Sequence, residues 1–316
     1  MSTDQAVSPR MRAPKRRKHP SRMTFAPYMF LAPAIVLFLV FMLVPIVYSI
    51  WLSFQHYQLQ GGGILGVRVQ VFAGFANYIA VFQDPELLAG FGRLAIYGII
   101  AVPVTLGGAL LFALLLDVPA VRAKGFSRVA IFIPYAVPGV VAALLWGFMY
   151  LPGTSPFSYI TKALGWGTIP FLDNPGLFGS LANIAVWSGI GFNMIIIYTS
   201  LRGIPAEIYE SARLDGANEV QIAFRIKIPL VTPALILTGI FSLIGALQLY
   251  GEPTTLKPLT NAISQSWVPL MIIYRDAFIT DDLPGAAALS VIIALGTVIL
   301  SAVVLRITNR RSGGAS

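Results

Sequence analysis

The chain has 316 residues, 56% hydrophobic and only 11% charged, with a mean hydropathy of +0.77. Water-soluble domains carry roughly 25% charged residues, so this composition excludes an ordinary soluble domain and describes a polytopic membrane protein. The net charge of +9 comes with no cysteine and two separated histidines, His19 and His56; disulfides and thiolate chemistry are excluded, no metal site is expected, and the basic excess is read by its position along a membrane chain, not as nucleic-acid binding.

Residues 1–24 form a basic tail with seven Lys and Arg between Arg10 and Arg22. The apolar run that follows continues to about Trp51, beyond the ~7–15 residues of a cleavable signal core, and reads as an uncleaved span. Crossing a bilayer takes ~20 mostly apolar residues, and six stretches qualify, at about 28–53, 93–117, 130–151, 179–201, 230–250 and 284–306. The expected fold is therefore all-α with six transmembrane helices. The outer loops, about 54–92, 152–178 and 251–283, are rich in Gly, Pro, Asn and aromatic residues and too short for separate domains of ~100 residues. Lys and Arg are retained in the cytoplasm. Seventeen of the twenty-two lie in the basic tail, the connection between spans two and three, the segment 202–229 and the C-terminal end. Both termini, including a short tail at 309–316, are thus expected on the cytoplasmic side. One pattern occurs twice, Arg128-x4-Ile133-Pro134-x3-Pro138 and Arg225-x2-Ile228-Pro229-x3-Pro233. It is read as prolines in the opening turns of spans, not as an internal repeat.

The polar segment 202–229 between spans four and five has its own design. Pro205 can start a short helix, with Glu207 near the positive end of its dipole. Asp215-Gly216 breaks it, because Gly takes the positive φ that ends helices. Asn218 with Gln221 three residues on is a capping box for a second helix, expected to stop before Pro229. Ile204, Ile208 and Ser211-Ala212 fall on one face of the first helix, and Val220, Ala223 and Phe224 on one side of the second. A tether has no need of two capped helices and an apolar stripe; the stripe calls for a partner surface.

The pattern Glu210-x-Ala212-x3-Gly216-x9-Ile226-x-Ile228-Pro229 resembles the coupling loop of the membrane subunits of binding-protein-dependent ABC importers. Phe30-Leu31-Ala32-Pro33, Pro45 to Phe54, Gly74-Phe75-Ala76-Asn77-Tyr78, Phe82-Gln83-Asp84-Pro85 and Trp187 to Asn193 resemble the first permease subunit of the maltose-type carbohydrate group. The resemblance covers about 25–308 and implies the type I permease fold in a prokaryotic plasma membrane. It also implies a second permease, an ATPase dimer, an extracytoplasmic solute-binding protein and a carbohydrate substrate. ATP and Mg would be bound by the ATPase and no cofactor by this chain, which has no Gly-x4-Gly-Lys-Ser/Thr sequence. Glu210, Ser211, Ala212, Asp215, Gly216, Val220 and Phe224 would then contact the ATPase. Ser211 stands where alanine is usual, Ile228 where leucine is usual, and Arg93 where Asn-Thr usually opens span two. A Thr-x-Gly-Gly-Pro turn common after span five is replaced by Tyr250 to Pro258.

Matching the group's sugar-binding positions by distance from Glu210 brings over Gly189, Phe192, Ser242 and Gly245, with Asn193, Gln248 and Tyr250 as polar neighbours. Phe192 would stack on a sugar ring, the glycines would leave room and Ser242 would hydrogen-bond. Gly and Ser also let membrane helices approach closely, and Phe faces lipid freely, so the same residues suit plain packing. Glu252 reads equally as a substrate-mouth carboxylate or an outer-loop charge. An ion-driven secondary transporter is the rival class, but it needs intramembrane carboxylates, and only Asp117 and Glu252 lie near span ends. A non-transporting scaffold gives no reason for the capped loop, and a glycerol phosphate permease would need more basic residues around the passage.

Overall fold

A computed structural model describes residues 26–61 and 67–312, with side-chain environments from Tyr28 to Arg306. The expected basic tail 1–24 lies outside the described residues, as does 313–316 of the second tail. The chain divides into two units at Tyr48/Ser49. In the first, the helix beginning at Ala26 carries Pro33 and widens into a π turn at Leu39–Leu43 before Pro45. Pro45 has no N–H to donate back one turn, and the wider turn bypasses the carbonyl it leaves unserved.

Among the described residues, five helices are long and apolar enough to cross a membrane: Tyr28–Leu52, Pro85–Asp117, Gly176–Arg202, Glu219–Leu247 and Leu283–Arg306, called spans one, two, four, five and six. Span three is a bent pair, Lys124–Ala136 and Gly139–Tyr150, with 95° between its halves. One span was expected here, with the second proline of its pair able to kink it. Ile133–Ala136 forms a 3-10 turn and Val137 is extended (ψ 125°), because a residue preceding proline is disfavoured in the helical region and Pro138 has no N–H to continue the ladder. The second proline pair behaves differently: Pro233 sits inside a continuous helix, so the two similar sequences build dissimilar structures.

The second unit is organised around span two lying along span four, with span five packed on both. Small residues set the approach: Ala109, Ala113 and Ala101 of span two are fully or nearly fully buried, and a Cβ at Gly108 would meet Ile190 Cδ1 at 2.8 Å. Lipid is as apolar as Leu, so such close backbone packing, not exclusion of water, holds membrane helices together. Two apolar clusters result. One joins the N-terminal halves of spans two and four to the segment after span five through Leu94, Tyr97, Leu181, Ile184, Leu256 and Trp267. The other joins the C-terminal halves of spans two and four to the start of span five through Ala113, Leu116, Met194, Ile197, Leu201 and Val231. The outward faces of the spans are apolar and exposed, for example Ile99 at 74%, as lipid-facing surface requires.

The loops at 54–92 and 251–283 hold more structure than expected. Gln55–Gln60 (β1) and Val67–Phe72 (β2) pair antiparallel, Gln55 opposite Phe72. This two-stranded hairpin corrects the purely helical expectation locally; the alternation of Val67, Val69 and Val71 with polar residues is its sequence signal. Asn77 fastens it by donating to the carbonyls of Ser53 and Gln55. Arg93 fastens another loop, donating to the carbonyls of Trp267 at 2.7 Å and Ser266 at 3.4 Å.

Candidate functional site

Between the two apolar clusters, near Thr105 on span two and Gly189 on span four, the packing opens into a cavity of about 440 Å³. Gly189, Phe192, Asn193, Ser242 and Gly245, all named from the sequence, line it together. Phe192 lies parallel to Tyr135, ring centroids 4.9 Å apart and 18° between planes, with Phe241 at 6.4 Å. A Cβ on Gly189 would meet Thr105 Cγ2 at 3.2 Å, whereas one on Gly245 would enter open space. Asn193 is 4% exposed and is largely occupied by its own scaffold. Its Nδ2 donates to the Gly189 carbonyl at 2.8 Å, and its Oδ1 accepts from Ser242 Oγ at 3.4 Å. The pair therefore ties span four to span five at the cavity wall.

Gln248 and Tyr250 fall outside this cavity. The helix of span five ends at Leu247, and Tyr250 (φ −149°, ψ −49°) starts a new direction. Both residues line a separate open groove of about 750 Å³ with Tyr274, Phe278 and residues of span six. Glu252, the second residue of the next helix, Gly251–Leu256, lines the cavity. Tyr97, Thr105, Tyr135, Ser188 and Phe241 also line it and were not singled out from the sequence. Tyr97, Ala101 and Thr105 are four residues apart, one helical face, which is a signal that could have found them. Tyr135 is placed by the bend in span three, which carries no such signal.

The loop between spans four and five forms its first helix, break and capping box as its sequence predicts. The first helix is Ala206–Leu214 behind Pro205; Gly216 (φ +85°) ends it; Asn218 and Gln221 exchange both capping-box hydrogen bonds at 2.9 Å. Replacing the cap, Asn218→Ala, is expected to cost about 1 kcal/mol, read as a lower melting temperature of the purified protein. Arg213 Nε donates to Glu219 at 2.8 Å and clamps the two helices; that carboxylate raises the guanidinium pKa above its ordinary value. The second helix does not stop before Pro229. It passes through a π turn, Ala223–Lys227, and continues as span five. Ile228 N–H donates to the Ala223 carbonyl, five residues back, so the widened turn absorbs the proline without a break.

Glu210, Ser211, Asp215 and Gly216 are exposed and Ala212 is half-buried. Val220 and Phe224 are 65% and 68% exposed, and Leu214 89%. Beneath this surface Lys227 Nζ donates to Asp117 Oδ2 at 2.6 Å, with both side chains at most 5% exposed, and sits 4.9 Å from the centre of the Tyr209 ring. Burial first, then the Asp117 charge, pushes the Tyr209 pKa up to about 12, with Arg202 opposing.

The profile of the family described as "Binding-protein-dependent transport system inner membrane component" matches residues 109–313, which include most of the cavity wall and the whole capped loop. The chain belongs to this family. The permease is a transport component, not an enzyme, and an inner-membrane protein that works with a binding protein. It is 29% identical over 279 residues to the "Probable ABC transporter permease protein YurN" of Bacillus subtilis (strain 168), covering 87% of this chain and 93% of that one. It is 28% identical over 289 residues to the "sn-glycerol-3-phosphate transport system permease protein UgpA" of Brucella suis biovar 1 (strain 1330), covering 90% and 95%. The permease fold also matches a chain of a bacterial alginate ABC transporter, solved in complex with an alginate pentasaccharide-bound periplasmic protein. The TM-score there is 0.76 at 19% identity, with 91% of this chain and 95% of that chain covered.

Proposed function

We propose that this permease forms half of the membrane passage of an ATP-driven importer and that its solute is a carbohydrate. The cavity carries the reading. It combines the faces of Tyr97, Tyr135, Phe192 and Phe241 with the hydroxyls of Thr105, Ser188 and Ser242, and the one charged residue lining it is the acidic Glu252. Sugars present apolar C–H faces and polar rims, and this lining suits both. A phosphate-bearing solute, as in the relative named for glycerol phosphate, would meet a carboxylate and, among the described residues, no cation. An acidic sugar such as alginate would meet the same carboxylate, which favours a neutral solute.

The remaining partners follow from the loop. A second permease would close the cavity's open side. An ATPase dimer, holding ATP and Mg, would receive Glu210 and the exposed Leu214, Val220 and Phe224, while a solute-binding protein delivers cargo on the opposite side. Both termini would then be cytoplasmic. Nucleotide binding closes the ATPases, the loop moves, and the spans expose the cavity to alternate sides.

The test uses the complete importer in proteoliposomes with its binding protein. Glu210→Ala is expected to leave the complex assembled in the membrane and to reduce solute-stimulated ATP hydrolysis by about a hundredfold, the loss of a desolvated charge contact. Wild-type stimulation in this variant refutes the docking role. Competition between neutral sugars and glycerol phosphate for uptake tests the solute class: inhibition by the phosphate alone refutes a carbohydrate.

A further inference from the structure

We propose that the buried Asp117–Lys227 pair, covered by the Tyr209 ring, is the tie through which movement of the loop reaches two walls of the cavity, spans two and five. The inference rests on the docking reading above and extends it to residues outside the docking surface.

Position is the first argument. Asp117 is the last residue of span two, the helix that presents Tyr97 and Thr105 to the cavity. Lys227 is the last residue of the π turn at the root of span five, the helix that presents Ser242 and Gly245. Tyr209 precedes Glu210 on the first loop helix. Three elements that must move together for the cavity to change sides therefore meet at one point on the inner side.

The second argument is mechanical. The helix Ala206–Leu214 contains no buried residue, so apolar interlocking gives it a weak grip on the spans. The loop's own ion pair, Arg213 with Glu219, is exposed and joins the loop only to itself. Asp117 and Lys227 are different, with side chains 5% and 4% exposed at 2.6 Å. Pulling such a pair apart leaves each charge without water or partner, so the two span ends resist separation far more than an exposed pair would. The Tyr209 ring, 4.9 Å from the ammonium, adds a cation–π contact that joins the loop helix to the pair.

The third argument is the π turn. Its extra residue rotates everything after it by about 100° relative to an uninterrupted α-helix. Lys227 is the one residue of Ala223–Lys227 that is buried, and the turn brings that single cation to the end of span two.

The experiment uses the whole importer in proteoliposomes and compares solute-stimulated with basal ATP hydrolysis, solute moved per ATP, and assembly by size exclusion. The decisive variant is the apolar pair Asp117→Leu with Lys227→Met, which leaves no charge unpaired. It is expected to assemble with wild-type basal hydrolysis and to lose about tenfold in stimulation, within the range of coupling between sites. The reversed pair, Asp117→Lys with Lys227→Asp, is expected to recover much of that loss. Tyr209→Leu, which leaves the pair intact, is expected to lose a smaller part. Normal stimulation and normal stoichiometry in the assembled apolar pair overturn the proposal. Failure of the apolar pair to assemble also overturns it, because the pair would then serve only to hold the fold. Glu210→Ala in parallel separates the two claims: a normal Glu210→Ala refutes docking, whereas a defective Glu210→Ala beside a normal apolar pair refutes only the tie.

Discussion

Gly245→Trp is expected to stop transport while leaving the permease folded and assembled. Gly245 lies on span five at the cavity wall, and a Cβ built there meets no atom within 4 Å. The indole would therefore extend into the 440 Å³ space lined by Phe192 and Ser242. Replacing a helical glycine removes an entropic cost of about 0.5–1 kcal/mol, so the substitution carries no folding penalty of its own. Uptake of radiolabelled solute should fall by at least about tenfold, since a filled pocket cannot bury a sugar, while the thermal transition of the purified complex is unchanged or slightly raised. Uptake at the wild-type rate would place the passage elsewhere. Gly245→Ala is the graded control, expected to raise the apparent KM for solute with little change in maximal rate, because a methyl group narrows the pocket without closing it.

Gly191→Ala is expected to do the reverse, damaging the fold first and transport as a result. Two residues from Gly189 and one from Phe192, Gly191 faces away from the cavity and against the bend of span three. A Cβ there would collide with the Ile131 carbonyl oxygen and lie 2.7 Å from Phe132 Cα. Both are backbone atoms that no side-chain rotation can move aside. The cost is that of overpacking a tight contact, about 3 kcal/mol, read as a lower melting temperature and less permease in the membrane. Displacing this bend also shifts Tyr135, three residues beyond Phe132, away from the Phe192 ring it lies against. Surviving protein is therefore expected to transport poorly. A melting temperature equal to that of the wild type would show that the bend and span four are not in this contact.

Periodicity and local chemistry made much of this molecule legible. The spans appear where apolar runs of sufficient length occur, and the capped loop forms as Pro205, Gly216, Asn218 and Gln221 specify, because helix starts, stops and caps are settled within a few residues. All four residues matched for the cavity, and Asn193 of their three polar neighbours, line one space. Gln248 and Tyr250 do not, since the direction of the chain after Leu247 depends on how the following segment packs. The hairpin at 55–72 was legible in its alternating valines yet obscured by the surrounding glycine-rich loop.

By itself the sequence determined the membrane class, the count and approximate limits of the spans and the design of the loop, all of which follow from interactions among near neighbours in the chain. Tertiary structure alone decided the outcome of the two proline patterns. The same Pro-x3-Pro spacing breaks span three by 95° and lets span five continue through a π turn, so the local sterics that favour a break at proline permit either outcome. It also decided the meeting of Asp117 with Lys227, 110 residues apart. No local pattern encodes such a pair; it exists because two helices end at the same place and two charges withdrawn from water find their lowest energy in each other.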